Sequence, residues 1–304
     1  MRLILQIDNL SMCINRSKSY ILTSRIRYIV NSRVLLALCI SLFYLTVQAN
    51  SNNTVMVTAS TGELGQKISL HLASEGYDLI LTGRSQEKLS DLKNEINKKY
   101  KNIAITTEVI EFTDTKTIEN TAKKIPVNSL KGLVLIGPRP LLSKENIPNK
   151  PAWSKAFLEC FIGPLEVVKL FNLHIQPKGS LVVIAGNTSR NYMPNYPNTN
   201  VIRLAWIGEV KNLVHFFAER KIRVNAVSPG PLLTQFHIKR IEEQAISKNI
   251  SFEEQLSKNA ALIPLKSYGK PEDLAKLVSF MISDHSTHLN GANIPLDGGE
   301  SQAY

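Results

Sequence analysis

The stretch YPNTNVIRLAW, Tyr196 to Trp206, brings together a phenol (Tyr196), an aliphatic hydroxyl (Thr199) and a guanidinium (Arg203). A phenol near a fixed cation is a proton donor suited to carbonyl chemistry. A threonine hydroxyl does not titrate usefully near neutrality. A guanidinium stays charged and holds anions or ribose hydroxyls, but it does not shuttle protons. Close by, Thr188 and Ser189 offer hydroxyls and Tyr192 a second phenol. Tyr192 and Tyr196 precede a helical pattern in a Pro/Asn-rich stretch. They read either as aromatic wall residues or, for Tyr196 first, as a substitute proton donor. Cys160 is the sole thiol after residue 49 and has no His or cation beside it in sequence, so it reads as helix filler before nucleophile. His285 and His288 lie three apart without a third ligand nearby. They read as a solvated loop, and no metal is expected.

A second group lies upstream. TASTGELG, Thr58 to Gly65, follows the apolar run TVMVT and opens a helical pattern. Strand, Gly-containing turn and helix expose backbone N–H groups that hold a pyrophosphate. Thr58, Ser60, Gly62, Leu64 and Gly65 are the candidate cofactor-binding residues of this turn. The next apolar run ends in LTGRSQEKL, with Arg84 after Gly83 and no Asp or Glu to bond ribose hydroxyls. A guanidinium suits a 2′-phosphate, so the expected dinucleotide is NADP(H), with NAD(H) less favoured. The plainer alternative is an exposed arginine without a ligand.

The elements that must position these groups alternate regularly. Strand candidates are 54–58, 77–82, 103–110, 132–136, 180–185, 222–227 and 292–296. Helical patterns lie between them at 64–74, 86–98, 115–124, 153–173, 201–220 and 271–283. Near-continuous apolar strands alternating with helices predict a single doubly wound α/β domain of Rossmann type with about seven parallel strands. Ligands of such folds bind beyond the carboxyl ends of the strands. The charged, helix-prone insertion at 235–262 reads as a substrate lid or loop.

Over nearly all of 54–299 the chain resembles the short-chain dehydrogenase/reductase family, whose turn reads Thr-Gly-x-x-x-Gly-x-Gly. Thr58 and Gly65 match, Ala59 takes the first glycine position and Glu63 the second, with Gly62 one residue earlier. IRVNAVSPGPLLT (222–234) and IPLKSYGKPEDLAKLVSFMISD…LNGANIPLDGG (263–299) match the family's Asn-x-x-x-Pro-Gly-x-x-x-Thr and Pro-Glu-Asp…Asp-Gly-Gly segments. The resemblance implies that Pro229, Gly230 and Thr234 lie at the nicotinamide, and Gly137 at the turn after the fourth strand. It also implies a proton-donating tyrosine, a lysine, a serine and an asparagine. Counting from Asn225 puts Arg203 at the lysine, Thr199 at the tyrosine, Gly186 at the serine and Cys160 at the asparagine position. GPRP (137–140) and NTNVIR (198–203) are similar to a branch of the family with a Gly-Pro-x-Pro turn and a Ser-Asn-x-x-Arg-like segment. The implied function is NAD(P)(H)-dependent oxidoreduction of a carbonyl/alcohol pair at a degenerate site. The alternative is a non-catalytic nucleotide- or ligand-binding protein. A homodimer or homotetramer is implied too.

The 304 residues carry a net charge of +11, but residues 1–49 hold six basic residues against Asp8 alone. The milder balance of the remainder suits an anionic ligand and does not require nucleic acid. VLLALCISLFYLTV (34–47), preceded by Arg25, Arg27 and Arg33 and followed by VQA, has the pattern of a signal peptide or N-terminal membrane anchor. At 14 residues it is short for a bilayer span. The expectation is export or anchoring through residues 1–49, with the folded domain at 50–304. The alternative is a cytoplasmic protein whose start lies elsewhere, with Met12 available.

Overall fold

Seven short runs rich in Val, Ile and Leu form the strands of a computed structural model that describes residues 53–140, 143 and 145–303. They are β1 (Thr54–Val57), β2 (Asp78–Gly83), β3 (Ile105–Val109), β4 (Leu130–Ile136), β5 (Ile175–Ile184), β6 (Arg223–Pro229) and β7 (Asn293–Leu296). All pairs are parallel, in the order β3-β2-β1-β4-β5-β6-β7. This is the expected Rossmann-type domain. The order reverses between β1 and β4, so a crevice opens beyond their carboxyl ends.

Alternation along each strand divides the core. Val55 and Val57 of β1 pack on one face with Leu81, Ile68 and Leu72, while Met56 packs on the other with Leu133 and Val183. Helices α1 (Glu63–Ser74), α2 (Gln86–Lys99) and α9 (Pro271–Ile282) cover the first face. Helices α3 (Thr115–Ala122), α4 (Lys150–Phe157), α5 (Gly163–Phe171) and α6 (Pro197–Phe216) cover the second. Between α4 and α5 the helix widens through a π-type turn, Leu158–Ile162, with Cys160 on its buried side. Such turns often mark functional segments.

Among the differences from the expected bounds, two bear on the site. Helix α6 begins at Pro197 and not near Val201, because proline at the first helical position needs no hydrogen-bond partner for its nitrogen. Thr199 and Arg203 are therefore helical and share one face at i,i+4 spacing. The 235–262 insertion is a pair of helices, α7 (Gln235–Lys248) and α8 (Phe252–Ala260), joined at Asn249 in the left-handed conformation. Gln255, 1% exposed, ties them by hydrogen bonds to Gln244, Lys248 and Asn259. The apolar run 34–47 and the whole of residues 1–49 lie outside the described residues.

Candidate active site

A cavity of about 280 Å³ opens at the carboxyl ends of β4, β5 and β6. Leu64 of α1, Arg139 and the α7 residues Phe236, His237 and Arg240 line it. Cys160, Arg203 and Trp206 also line it. Of the expected nucleotide-turn residues, Leu64 shares this cavity with Thr199 and Arg203, while Thr58, Ser60, Gly62 and Gly65 do not line it.

At the nucleotide side, Thr58 and Ser60 are fully buried and serve the turn itself. Thr58 Oγ1 accepts from the Ile136 N–H at 2.7 Å and donates to the Ile136 carbonyl at 3.0 Å, fastening β1 to β4. Ser60 Oγ donates to the Thr82 carbonyl at 3.0 Å, fastening the turn to β2. Ala59 sits at φ 46, a left-handed conformation that costs a non-glycine residue about 1–2 kcal/mol. Gly65 is forced by close approach: a Cβ there would lie 2.5 Å from the Ala59 carbonyl oxygen. Helix α1 starts at Gly62 without a side-chain cap, which leaves its first N–H groups directed outward. The Glu63 carboxylate turns to α7 instead, accepting from the Gln235 N–H at 2.9 and 3.2 Å. Arg84, exposed just before α2, has no hydrogen bond or ion pair among the described residues.

At the other side Arg203 has no hydrogen-bond or ion-pair partner among the described residues. Its guanidinium lies against Gly186 at φ 108, where a Cβ would come within 2.5 Å of Cζ. The guanidinium therefore occupies the space a side chain at 186 would need. Desolvation, reinforced by the Arg139 cation, lowers its pKa to about 10. It stays charged at neutral pH. One turn earlier, Thr199 is 2% exposed and its Oγ1 has no partner among the described residues. Thr188 donates to the Thr199 carbonyl at 3.3 Å and faces the cavity. Ser189 does not face it; its hydroxyl bonds Ser228 at 2.7 Å. Cys160 is buried, and desolvation pushes its thiol up to about 11, the Glu159 carboxylate adding to the effect. A thiol so disfavoured as thiolate is no nucleophile.

Tyr196 and Tyr192 separate cleanly. Tyr192 is 81% exposed and outside the cavity, whereas Tyr196 lines it and accepts a hydrogen bond from Arg240 Nη1 at 2.9 Å. Gly137, Pro229, Gly230 and Thr234 all face the cavity. A Cβ on Gly230 would collide with Asp297. Thr234 Oγ1 pairs with His237 Nδ1 at 3.0 Å.

With this geometry in view, comparison with known proteins is direct. The family described as Enoyl-(Acyl carrier protein) reductase matches residues 58–301. The chain belongs to the short-chain dehydrogenase/reductase (SDR) family. The NADPH-dependent reductase BacG of Bacillus subtilis (strain 168) is 23% identical over 257 residues, covering 83% of this chain and 99% of BacG. Dehydrogenase/reductase SDR family member 4 of Mus musculus is 25% identical over 256 residues, covering 82% of this chain and 87% of its own. An NADPH-bound short chain oxidoreductase from Pseudomonas aeruginosa PAO1, described as containing an atypical catalytic center, matches with a TM-score of 0.75. Its identity is 20%, covering 84% of this chain and 98% of that one. At such identity the likeness shows the fold.

Several residues of this SDR's cavity escaped the reading of its sequence. Arg139 reaches over the Phe236 ring, 3.8 Å from its centroid. His237, held neutral by desolvation and by the Arg139 and Arg240 cations, has its pKa lowered to about 4. Asn187 donates to Glu300 Oε2 at 2.5 Å, closing the C-terminal segment over one wall. The signal for Phe236, His237 and Arg240 was their i,i+1,i+4 spacing after Thr234, hidden inside a charged insertion. Arg139 was visible within GPRP.

Proposed function

We propose that this SDR is an NADP(H)-dependent oxidoreductase acting on a carbonyl/alcohol pair, with a proton donor shifted from the family position. The observation that carries this reading is the buried Thr199 hydroxyl, unpartnered and beside the unpaired Arg203 cation in the cavity. A buried polar group without a protein partner is rare, and a substrate oxygen in the cavity would supply one. The family catalytic positions are occupied by Thr199, Arg203, Gly186 and Cys160, so the usual tyrosine and lysine are absent.

The residues present fit the dinucleotide. The uncapped start of α1 at Gly62 and Leu64 would hold the pyrophosphate, and unpaired Arg84 the 2′-phosphate. Arg203 would hold the nicotinamide ribose, with Pro229, Gly230 and Thr234 beside the ring. BacG and the P. aeruginosa oxidoreductase, both described with NADPH, support the choice of NADP(H). Reduced NADP supplies a hydride. Tyr196 delivers the proton, and Arg240 stabilises the phenol oxygen that carries charge afterwards. The Thr199 hydroxyl donates to the carbonyl oxygen and orients it. Solvent reprotonates the phenol.

The test is single-turnover oxidation of NADPH against a carbonyl panel, comparing wild type with Tyr196→Phe. The proposal expects a loss of about 10²-fold or more in rate for Tyr196→Phe with little change in NADPH affinity. Equal rates would refute the donor. A second reading, a nucleotide-binding protein without turnover, is favoured by the Glu63 carboxylate at the phosphate turn. Tight NADPH binding with no turnover on any carbonyl would establish it.

The same reading extends to assembly and location. Leu158, Ile162, Val201 and Leu204 are 45–60% exposed on neighbouring helices, a face that suits a second copy of the chain. Residues 1–49 are proposed as an export signal or anchor. N-terminal sequencing of the mature protein decides this, and a soluble cytosolic form retaining Met1 would remove the idea.

A further inference from the structure

The cavity has an unusual charge. Its wall holds the guanidiniums of Arg139, Arg203 and Arg240 and one carboxylate, Glu300, already engaged by Asn187. None of the three arginines forms an ion pair among the described residues. Two arginines elsewhere are committed: Arg223 donates to Met281, Ser283 and Ser286 oxygens, and Arg190 to the Ala303 carbonyl, whereas Arg84 is exposed and free of such bonds among the described residues. Like charges crowded around a small, partly dry space create a positive potential that only an anion relieves. Arg139 and Arg240 stand at the exposed rim, where that anion enters.

Resting on the oxidoreductase reading, we infer that the substrate is a short oxo acid whose carboxylate is held by Arg139 and Arg240. Two features of the site carry this beyond charge alone. The Arg240 guanidinium touches the Tyr196 phenol at 2.9 Å, so a carboxylate on Arg240 lies one or two carbons from the oxygen the phenol protonates. Arg139 follows β4 and Arg240 stands in the second turn of α7, so neither belongs to the α1 start or to Arg84, which the proposed function assigns to cofactor phosphates. Phe236 under Arg139 and Trp206 in the wall offer an apolar seat for the rest of the molecule. Planar guanidiniums recognise carboxylates by paired hydrogen bonds.

The test uses the full chain and two probes with one skeleton, benzoylformate and its neutral methyl ester, titrated by calorimetry with and without NADP⁺. Benzoylformate should bind about ten-fold or more tightly than the ester. The double variant Arg139→Gln/Arg240→Gln should bring the ratio near one, with ester binding retained. Arg139→Lys/Arg240→Lys should keep a preference for the acid. NADP⁺ affinity should stay within about two-fold in both variants. Acid and ester binding alike, no acid binding up to about 10 mM, or a preference surviving the glutamine variant would overturn the inference. So would parallel loss of NADP⁺, which would assign the arginines to cofactor phosphate. If wild type fails to bind NADP⁺ yet prefers the acid, the oxidoreductase reading falls and the carboxylate site stands.

Discussion

Arg203 and Gly186 form one steric unit, because the guanidinium fills the space a side chain at 186 would take. A lysine at 203 would vacate that space, and a serine at 186 would contest it. Neither change is neutral alone. Arg84 behaves independently, and Arg84→Gln should weaken NADPH by about 10–100-fold while leaving NADH nearly unchanged. Equal losses by calorimetry would remove its assignment to the 2′-phosphate. His237 gives a pH signature. Its folded pKa, about 4, lies below the ordinary 6.5 because burial and the rim arginines disfavour the imidazolium. The unfolded chain therefore binds the extra proton. The stabilising contribution is complete above about 6.5, falls as pH drops, and is gone below about 4. Denaturant midpoints should show wild type losing roughly 2 kcal/mol more than His237→Gln between pH 7 and 4.5. Identical pH profiles would contradict this. At this scale the sequence was half legible. Thr199 and Arg203 were found by counting from Asn225, but Arg139 and Arg240, which line the same cavity, come from distant segments that no local spacing connects.

Elements were more readable than residues. Apolar strands and intervening helical periods marked all seven strands, since both faces of a parallel sheet must be apolar. Helix starts were less legible, as the early entry at Pro197 shows, because the Asn-rich first turn of α6 lacks an apolar period. The insertion's charges suggested helices without revealing that Gln255 locks them together. Glu63 spans two elements, lying in the first turn of α1 while its carboxylate satisfies the start of α7. On the proposed cofactor reading, that bond sets a carboxylate at the turn that would receive the pyrophosphate. Glu63→Gln should tighten NADPH by about 3–10-fold through lost repulsion, at a stability cost near 1 kcal/mol from the weakened cap. Calorimetry and denaturant melts of the same variant check both. Weaker NADPH binding would mean that the carboxylate supports the cofactor.

As a whole molecule, the domain carries its cavity at the carboxyl edge of the sheet and exposes Leu158, Ile162, Val201 and Leu204 on helical segments whose other residues line that cavity. The cavity lining holds three arginines against one carboxylate, a balance that suits an anionic ligand. If the face of Leu158, Ile162, Val201 and Leu204 is covered by a second copy, light scattering gives twice the chain mass. Leu204→Glu should then raise the dimer dissociation constant by about 10²-fold or more. A wild-type monomer at micromolar concentration would contradict the assembly. The central claim concerns the cofactor, and the most direct measurement is calorimetric titration of the wild-type chain with NADPH and NADH. The account predicts NADPH binding at micromolar concentrations and about ten-fold or more tighter than NADH. No binding of either, or tighter NADH, would contradict it.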